Sequence, residues 1–278
     1  MSSTTGNVTV VVASRDRRSE LLASLPRHEA GVVLVDNASS DGSAPDVEAA
    51  LPDVRVIRLD RNIGARARTL GAEVAGTPYV AFADDDSWWA PGALDAATRL
   101  LDEHPRLALV QARILVGPDE RPDPLCRVMA ASPLPADGLP GPRLLGFVAC
   151  AVVVRREAFL AVGGFDDVVR FPGEEQRVAL DLAAAGWDMA YVPALVVHHH
   201  PSPSREPADE RSLRVARSNL LTAVLRRPWG VVAREVVRTV RRGQGAAVRR
   251  ALPDLVPALR QRRCVPDAVE AWCRQLET

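Results

Sequence analysis

Three consecutive carboxylates, Asp84, Asp85 and Asp86, are the side chains of this sequence that are best suited to chemistry. They follow the apolar run Tyr79–Ala83, which predicts a short buried strand. Alternate residues of an extended segment point the same way, so we expect Asp84 and Asp86 to converge on one cation while Asp85 points elsewhere. A hard divalent cation, Mg²⁺ or Mn²⁺, would relieve the repulsion between these carboxylates. An acidic turn that caps the next helix is the alternative.

A second group of polar residues follows the other predicted strands. Asp36 ends the apolar run 31–35, where its carboxylate could accept hydrogen bonds from a ribose or a base. An Asx turn within its own loop is the alternative for Asp36. Gly64 would let the backbone approach a phosphate closely. Arg66 and Arg68 diverge on a helix, so we expect only one of them to reach a site, and a solvated helix face is the alternative for each.

Two glutamates open a predicted helix over residues 176–185. Glu174 or Glu175 could act as a general base, a role that typically contributes roughly 10²–10⁴ in rate. The alternative is structural, because the N-terminal end of a helix dipole favours negative charge. Further on, the run 191–197 contains Pro193, which predicts a strand near the edge of a sheet. Three histidines, residues 198–200, follow this strand and could supply one metal ligand or form a polar exit loop.

Apolar runs alternate with helical segments from the N-terminus onwards, a pattern that predicts an α/β fold with a mostly parallel sheet. Strands are predicted at residues 8–13, 31–35, 54–59, 79–83, 107–116 and 191–197. No glycine follows the first strand within residues 14–18, as a phosphate-binding loop would require. We expect one large domain over residues 1–204, with a smaller region over residues 205–278.

The region 205–278 carries most of the positive charge. Between Arg205 and Arg263 there are 15 arginines and 5 acidic residues, a net charge of +10 in a chain whose total is zero. Residues 229–242 form an amphipathic helical pattern with Trp229 and valines on one side and arginines on the other. Packing of this helix on the domain is our first expectation, and an anionic membrane or a second subunit are the alternatives. No motif favours nucleic acid.

Cysteine usage and hydropathy bear on the cellular compartment. The four cysteines lack metal-ligand spacing, so we expect free thiols in a reducing compartment. Neither a signal peptide nor an apolar stretch long enough to span a membrane is evident. The expected location is the cytoplasm, with the inner face of the membrane as an additional place of contact.

In order along the chain, several short motifs resemble those of glycosyltransferase family 2, which contains inverting enzymes with the GT-A fold. The resemblance extends over roughly residues 7–205 and is closest to bacterial members that transfer rhamnose-like sugars. The matching stretches are 10–17 (VVVASRDR), 35–42 (VDNASSDG), 62–64 (NIG), 82–86 (FADDD), 163–166 (GGFD), 173–175 (GEE) and 196–198 (VVH).

The resemblance implies a Rossmann-like, mostly parallel sheet flanked by helices, and it implies roles for the matching residues. The cation, Mg²⁺ or Mn²⁺, is held by Asp84, Asp86 and His198. The resemblance assigns the role of catalytic base to Glu175. Glu174 is the alternative, because this sequence has Glu-Glu where the family usually has Glu-Asp. The residues expected to bind the nucleotide-sugar donor are Ala13, Arg15, Asp36, Asn37, Gly64, Arg68, Asp84 and Asp85.

The implied reaction is a single displacement. An acceptor hydroxyl, on a glycan, a lipid-linked sugar or a small molecule, loses its proton to Glu175 and attacks the anomeric carbon of the donor. Two other functions remain as alternatives at this point. One is a nucleotide-sugar pyrophosphorylase, and the other is a non-catalytic module that binds nucleotide sugars and docks on partners.

Overall fold

The computed structural model describes residues 4–202 and 207–277. In these ranges nine strands form one mixed sheet. The strands are β1 (Val8–Ser14), β2 (Gly31–Asp36), β3 (Arg55–Arg58), β4 (Tyr79–Ala83), β5 (Ser87–Trp89), β6 (Leu107–Val116), β7 (Arg121–Pro122), β8 (Val152–Arg155) and β9 (Asp188–His199). Their order in the sheet is β3-β2-β1-β4-β8-β6-β9-β5, and β7 pairs with β6.

Helices cover both faces of this sheet and form the C-terminal region. They are α1 (Arg18–Ser24), α2 (Ser43–Ala50), α3 (Arg66–Val74), α4 (Ala93–Glu103), α5 (Pro124–Ala130), α6 (Arg156–Ala161), α7 (Glu175–Ala184), α8 (Ala208–Arg226), α9 (Trp229–Arg241), α10 (Gly245–Ala251), α11 (Leu255–Arg260) and α12 (Asp267–Leu276). Short 3₁₀ turns lie at Thr4–Asn7, Leu25–Arg27, Ala149–Ala151 and Leu252–Asp254.

The first four strands are parallel neighbours, which confirms the predicted α/β fold. β1 lies between β2 and β4, and its four valines are fully buried on both faces, as a continuous run of β-branched residues predicts. Since the strands run the same way, their carboxyl ends meet at one side of the sheet, which we call the carboxyl edge. Ser14, Asp36 and Ala83 mark this edge.

The second half of the sheet is mixed. β8 is antiparallel to both β4 and β6, and β9 is parallel to β6, so β9 also ends at the carboxyl edge. The position near an edge that Pro193 predicts is confirmed, because β9 is the last strand but one and the edge strand β5 pairs only with residues 197–199 of it. The register shifts between Ala112, which pairs with Val192, and Arg113, which pairs with Val196. This bulge accommodates a residue that has no N–H for the ladder.

The C-terminal helices pack against the loop before α7 and build a second apolar cluster with it. Val168 and Val169 of this loop lie in one apolar cluster with Leu221 and Leu225 of α8. The buried ion pair between Arg227 and Glu270 attaches α12 to the end of α8. The predicted boundary at residues 204 and 205 lies outside the described residues.

Two further sequence expectations concern the cysteines and the membrane. All four cysteines are free thiols, as predicted. Within residues 4–202 and 207–277, every helix is either too short or too polar to cross a bilayer.

Candidate active site

The acidic residues after β4 and the end of β9 meet at the carboxyl edge. One ligand atom each from Asp84, Asp86 and His199 lies within 4.8 Å of the others. The Nε2 atom of His199 is 3.2 Å from Oδ1 of Asp86, and the backbone N–H of Ser202 donates to Oδ2 of Asp86 at 3.1 Å. Two carboxylates and an imidazole suit a divalent cation such as Mn²⁺. The three residues therefore form a candidate metal site.

Asp85 points away from this cluster as expected, but it does so in a turn rather than an extended segment, because the N–H of Ser87 donates to the carbonyl of Asp84 at 3.2 Å. Its Oδ2 accepts a hydrogen bond from Ser14 Oγ at 2.7 Å, and its carbonyl accepts one from Ser24 Oγ at 2.7 Å. Burial, together with the charges of Asp84 and Asp86, raises the pKa of Asp85 to about 7. Asp85 thus connects the end of β4 to β1 and α1.

The structure places His199, rather than the predicted His198, beside the two aspartates. His198 points to the other face of β9, where its Nδ1 lies 2.5 Å from Oε1 of Glu120. Its ring also stacks on Trp88, with 5.4 Å between the ring centroids and 17° between the planes. The guanidinium of Arg27 lies 4.0 Å from the centroid of the Trp88 ring. The predicted metal ligand is therefore shifted by one residue, because neighbouring strand residues face opposite ways.

Arg68 connects the metal site to the two glutamates. It is the buried member of the arginine pair on α3, with 6% of its surface exposed. Its guanidinium donates to Oδ1 of Asp84 at 2.5 Å and lies 3.7 Å from Oε1 of Glu174. Arg66 instead pairs with Asp167 at the protein surface. One arginine of the pair reaches the candidate site, and it does so through contacts with carboxylates.

Glu174 and Glu175 occupy the start of α7 in different environments. Glu174 is 1% exposed, and neither of its carboxylate oxygens has a hydrogen-bond partner within the described residues. Burial and the nearby charge of Glu175 raise the pKa of Glu174. Glu175 is partly exposed, and burial raises its pKa although the backbone N–H of Ala149 opposes the shift. A carboxylate with a raised pKa is suited to accept a proton near neutral pH.

Residues predicted to bind a nucleotide lie after β1 and β2. Asp36 is 5% exposed, its Oδ2 accepts from the N–H of Ser39 at 3.3 Å, and its Oδ1 has no hydrogen-bond partner in the described part of the chain. Ala13 is partly buried near the end of β1. The exposed Arg15 lies 3.4 Å from the carboxylate of Asp16. The unpartnered Asp36 oxygen is available to a ligand donor.

Asn37 has a structural function that its sequence context did not reveal. Its Oδ1 accepts from the N–H of Ile63 at 2.8 Å, and its Nδ2 donates to the carbonyl of Gly64 at 3.0 Å. Gly64 has φ +61° and open space where a Cβ would stand. Asn37 therefore holds the loop before α3 in place, and Gly64 keeps the backbone of that loop open to a ligand.

Sequence reasoning missed three contributors to the site, namely His199, Ser14 and Glu120. The run of three histidines was a signal for His199, since neighbouring residues of a strand face opposite ways and at least one histidine had to point to each face. Ser14 and Glu120 gave no signal, because each acts through a partner far away in the chain. Their contacts with Asp85 and His198 depend on how β1, β4, β6 and β9 are ordered in the sheet.

Two surface cavities lie away from these residues. A cavity of about 540 Å³ is lined by Arg106, Leu107, Asp188 and Trp272, among others. A second cavity, of about 330 Å³, includes Gly31 and Val32. Both are located where β6, β9 and β2 begin, on the side of the sheet opposite to the carboxyl edge. The acidic cluster and the glutamates, rather than these cavities, therefore mark the candidate active site.

Comparison with solved structures identifies the fold. The chain superposes on residues 1–349 of S. aureus TarS with a TM-score of 0.62 and 18% identity, over 96% of this chain and 83% of that one. A longer TarS chain is matched over 39% of its length. The mannosyltransferase PcManGT from Pyrobaculum calidifontis, solved with GDP-Man and Mn²⁺, gives a TM-score of 0.61 at 19% identity, over 98% and 84% of the two chains. The fold is GT-A, as expected.

Sequence comparison identifies the family. The family model for glycosyl transferase family 2 matches residues 11–163, which is more than half of the chain. The N-acetylglucosaminyl-diphospho-decaprenol L-rhamnosyltransferase of Mycobacterium tuberculosis is 30% identical over 215 residues, which cover 64% of this chain and 69% of the relative. The chain therefore belongs to glycosyltransferase family 2 and is a glycosyltransferase.

Proposed function

We propose that this protein is a metal-dependent, inverting glycosyltransferase that moves a hexosyl or deoxyhexosyl group from a nucleotide-diphosphate donor to a hydroxyl of a lipid-linked acceptor. One observation carries the proposal. A candidate metal site, a buried arginine and a pair of glutamates with raised pKa values lie together at the carboxyl edge of a GT-A sheet. We assign catalysis to residues 1–204 and regard residues 205–278 as a helical appendage.

The residues of the acidic cluster fit a divalent cation. Asp84, Asp86 and His199 would hold Mg²⁺ or Mn²⁺, since their ligand atoms already lie within 4.8 Å of one another. When bound, such an ion would stabilise the negative charge that develops on the diphosphate leaving group. Arg68 holds Asp84 in this arrangement through its hydrogen bond of 2.5 Å. His199 replaces His198 in the proposed ligand set.

We assign the role of catalytic base to Glu175. It is the more accessible of the two glutamates, and its raised pKa suits proton transfer near neutral pH. The acceptor hydroxyl gives its proton to the Glu175 carboxylate as its oxygen bonds to the anomeric carbon. The bond from that carbon to the diphosphate oxygen breaks in the same displacement, so the configuration inverts. Glu174, buried against Arg68, holds the start of α7.

The donor nucleoside is assigned to the ends of β1 and β2. The unpartnered Oδ1 of Asp36 would accept a hydrogen bond from the ribose or the base. Ala13 and Arg15 would line the base pocket at the end of β1. Gly64 would admit the diphosphate, because Asn37 holds its loop open. These assignments are supported by burial and by the hydrogen bonds between the loops.

The choice of a lipid-linked acceptor rests on the relative from M. tuberculosis, whose name gives an N-acetylglucosaminyl-diphospho-decaprenol acceptor and transfer of L-rhamnose. We extend the class of acceptor to this chain, and we place the reaction at the cytoplasmic face of the membrane. A free glycan or a small hydroxyl compound would be used in the same displacement, so the catalytic proposal does not depend on the lipid.

A ligand screen followed by a turnover assay tests the function. Nucleoside diphosphates and nucleotide sugars are added with Mn²⁺ or with a chelator, and selective binding should raise the melting temperature in the presence of metal. Release of nucleoside diphosphate on addition of an acceptor then measures transfer. Asp86→Ala should lose both signals, whereas the exposed Asp53→Ala serves as the matched control. A binding shift without any turnover for every acceptor class would favour a non-catalytic module and contradict the proposal.

A further inference from the structure

We propose that the surface of α9–α11 is a docking face for an anionic lipid bilayer. This inference deepens the proposed function, since it rests on a lipid-linked acceptor. An exposed apolar stripe on α9 is the first observation. Trp229, Val237 and Val240 are 57%, 47% and 55% exposed. With the exposed Ala233 they are spaced by four, four and three residues, which places them on one side of the helix.

The stripe is not needed to attach α9 to the protein. Val231, Val232 and Thr239 are the buried residues of this helix, and they form its contact with the rest of the chain. The sequence predicted a single apolar side, which included Val232 together with the residues of the stripe. The structure divides these residues between two sides, and only one of them is covered. α9 therefore packs on the rest of the chain, as expected, but only part of its apolar side is covered.

The segment that contains the stripe and the two following helices is almost entirely positive in its charges. Residues 229–263 contain nine arginines and two acidic residues. Both acidic groups are neutralised, since Glu235 pairs with Arg238, and Asp254 pairs with Arg170 and Arg217. Of the nine arginines in this segment, six are exposed and have no acidic partner among the described residues. They are Arg234, Arg241, Arg242, Arg249, Arg260 and Arg263.

A bilayer with anionic head groups offers this face both an apolar partner and negatively charged groups. Its acyl boundary can bury the stripe while its phosphates meet the arginines. A second copy of the chain fits less well, because a twofold interface would bring the same arginines together. Nucleic acid would match the charge but would leave the valines of the stripe without an apolar partner. Charge complementarity and apolar exposure together favour the lipid surface.

Helix α8 connects the stripe to the loop that leads to the glutamates. The Oγ of Ser218 on α8 donates to the carbonyl of Arg170, in the loop before α7, at 2.9 Å. Near the start of α8, Ser212 accepts from Gln244, which follows α9, at 2.5 Å. Ser212 and Ser218 are six residues apart on α8, about 9 Å along the helix axis, so the Val240 end of α9 and the loop that leads to Glu175 pack on the same helix less than two turns apart.

Vesicle flotation with the full chain tests the inference. The probes are phosphatidylcholine vesicles with and without about one third phosphatidylglycerol, at low and high salt. We expect binding to the anionic vesicles at low salt and release at high salt. Val237→Asp with Val240→Asp should weaken binding by at least about tenfold, because two charges enter the apolar contact. Arg241→Glu with Arg242→Glu should also weaken it by more than about tenfold, since each arginine near such a surface contributes roughly fivefold.

Matched controls change equivalent side chains elsewhere on the surface. Val128→Asp alters another exposed valine, and Arg99→Glu with Arg127→Glu makes the same change in net charge. Both controls should bind like the unmodified chain. Each variant is first checked for an unchanged melting temperature.

Three outcomes would overturn the inference. The first is that the chain does not bind anionic vesicles at low salt. The second is that the control variants lose as much vesicle binding as the α9 variants. The third is that the chain forms a dimer in solution and that the α9 variants abolish this dimer. In the third case, light scattering would identify a second copy of the chain as the occupant. Flotation uses neither donor nor acceptor, so its failure would leave the transferase proposal intact. Conversely, loss of transfer with retained flotation would count against the transferase alone.

Discussion

Arg68 donates a hydrogen bond to Oδ1 of Asp84 at 2.5 Å, and this contact joins α3 to the acidic end of β4. The same guanidinium lies 3.7 Å from the buried Glu174 at the start of α7. One cation thus holds together a proposed metal ligand and the segment that carries the proposed base. Because the Arg68 side chain is 92% shielded from solvent, the attraction is little screened by salt.

Replacing Arg68 should destabilise the protein and abolish transfer. Arg68→Ala leaves Glu174 buried without its cation, and removal of one partner from a buried ion pair costs about 3 kcal/mol or more. Urea unfolding at constant m-value measures the free energy of unfolding. The control is Arg66→Ala, whose exposed pair with Asp167 should contribute less than about 1 kcal/mol. Equal losses for the two variants would show that Arg68 is not the connecting residue.

The adjacent histidines should respond differently to substitution. His199→Ala removes one of the three candidate ligands and should weaken Mn²⁺-dependent binding of a nucleoside diphosphate by about tenfold or more. His198→Ala removes the stack on Trp88 and the contact with Glu120, so it should lower the melting temperature but spare the metal dependence. Titration calorimetry with and without Mn²⁺ measures both affinities. A loss of metal dependence in His198→Ala alone would restore the original sequence prediction.

The contrast between these histidines shows how far sequence reasoning reaches. The apolar runs predicted β1, β2 and β4, and the predicted convergence of Asp84 and Asp86 is observed, although a turn after β4 rather than a strand brings them together. The face that each histidine occupies depends on the register of β9 against β6 and on the bulge between Ala112 and Arg113. That register arises from tertiary packing and is not encoded in any local pattern.

The same limit applies to contacts between distant segments. The link from Arg68 to Asp84 and Glu174 joins three elements, so a helical pattern could only indicate that Arg66 and Arg68 diverge. The second apolar side of α9 was also hidden, because a helical period shows which residues share a side but not which side another helix covers. The longer elements were therefore predictable from local sequence, whereas the short strands β5, β7 and β8 and the contacts between elements were not.

His28 should make stability depend on pH. Its two ring nitrogens have no hydrogen-bond partner within residues 4–202 and 207–277, and burial lowers the pKa of His28 to about 4. The unfolded chain binds a proton below pH 6.5 or so, whereas the folded protein does so only near pH 4. The free energy of unfolding should therefore decrease as the pH falls from about 6.5 to 4, by roughly 1–3 kcal/mol.

Urea titrations across this pH range measure the His28 contribution. His28→Leu replaces the imidazole with an apolar side chain of similar size. It should remove the part of the pH dependence of the unfolding free energy that His28 contributes. His104→Gln is the control, and its pH profile should follow that of the unmodified protein. If His28→Leu retains the full slope, the acid sensitivity arises from other groups.

The two glutamates should separate chemistry from structure. Glu175→Gln removes the proposed proton acceptor while keeping its shape, so turnover should fall by roughly 10²–10⁴ with little change in donor affinity. Glu174→Gln should retain most of the turnover, because that residue supports α7 and Arg68.

In the unmodified enzyme, Glu175 must be unprotonated to act. Since burial raises the pKa of Glu175, turnover should decrease with falling pH at a higher pH than an ordinary glutamate would give. A pH profile of kcat for both variants, together with donor affinity by calorimetry, makes the assignment. An inactive Glu174→Gln beside an active Glu175→Gln would exchange the two roles.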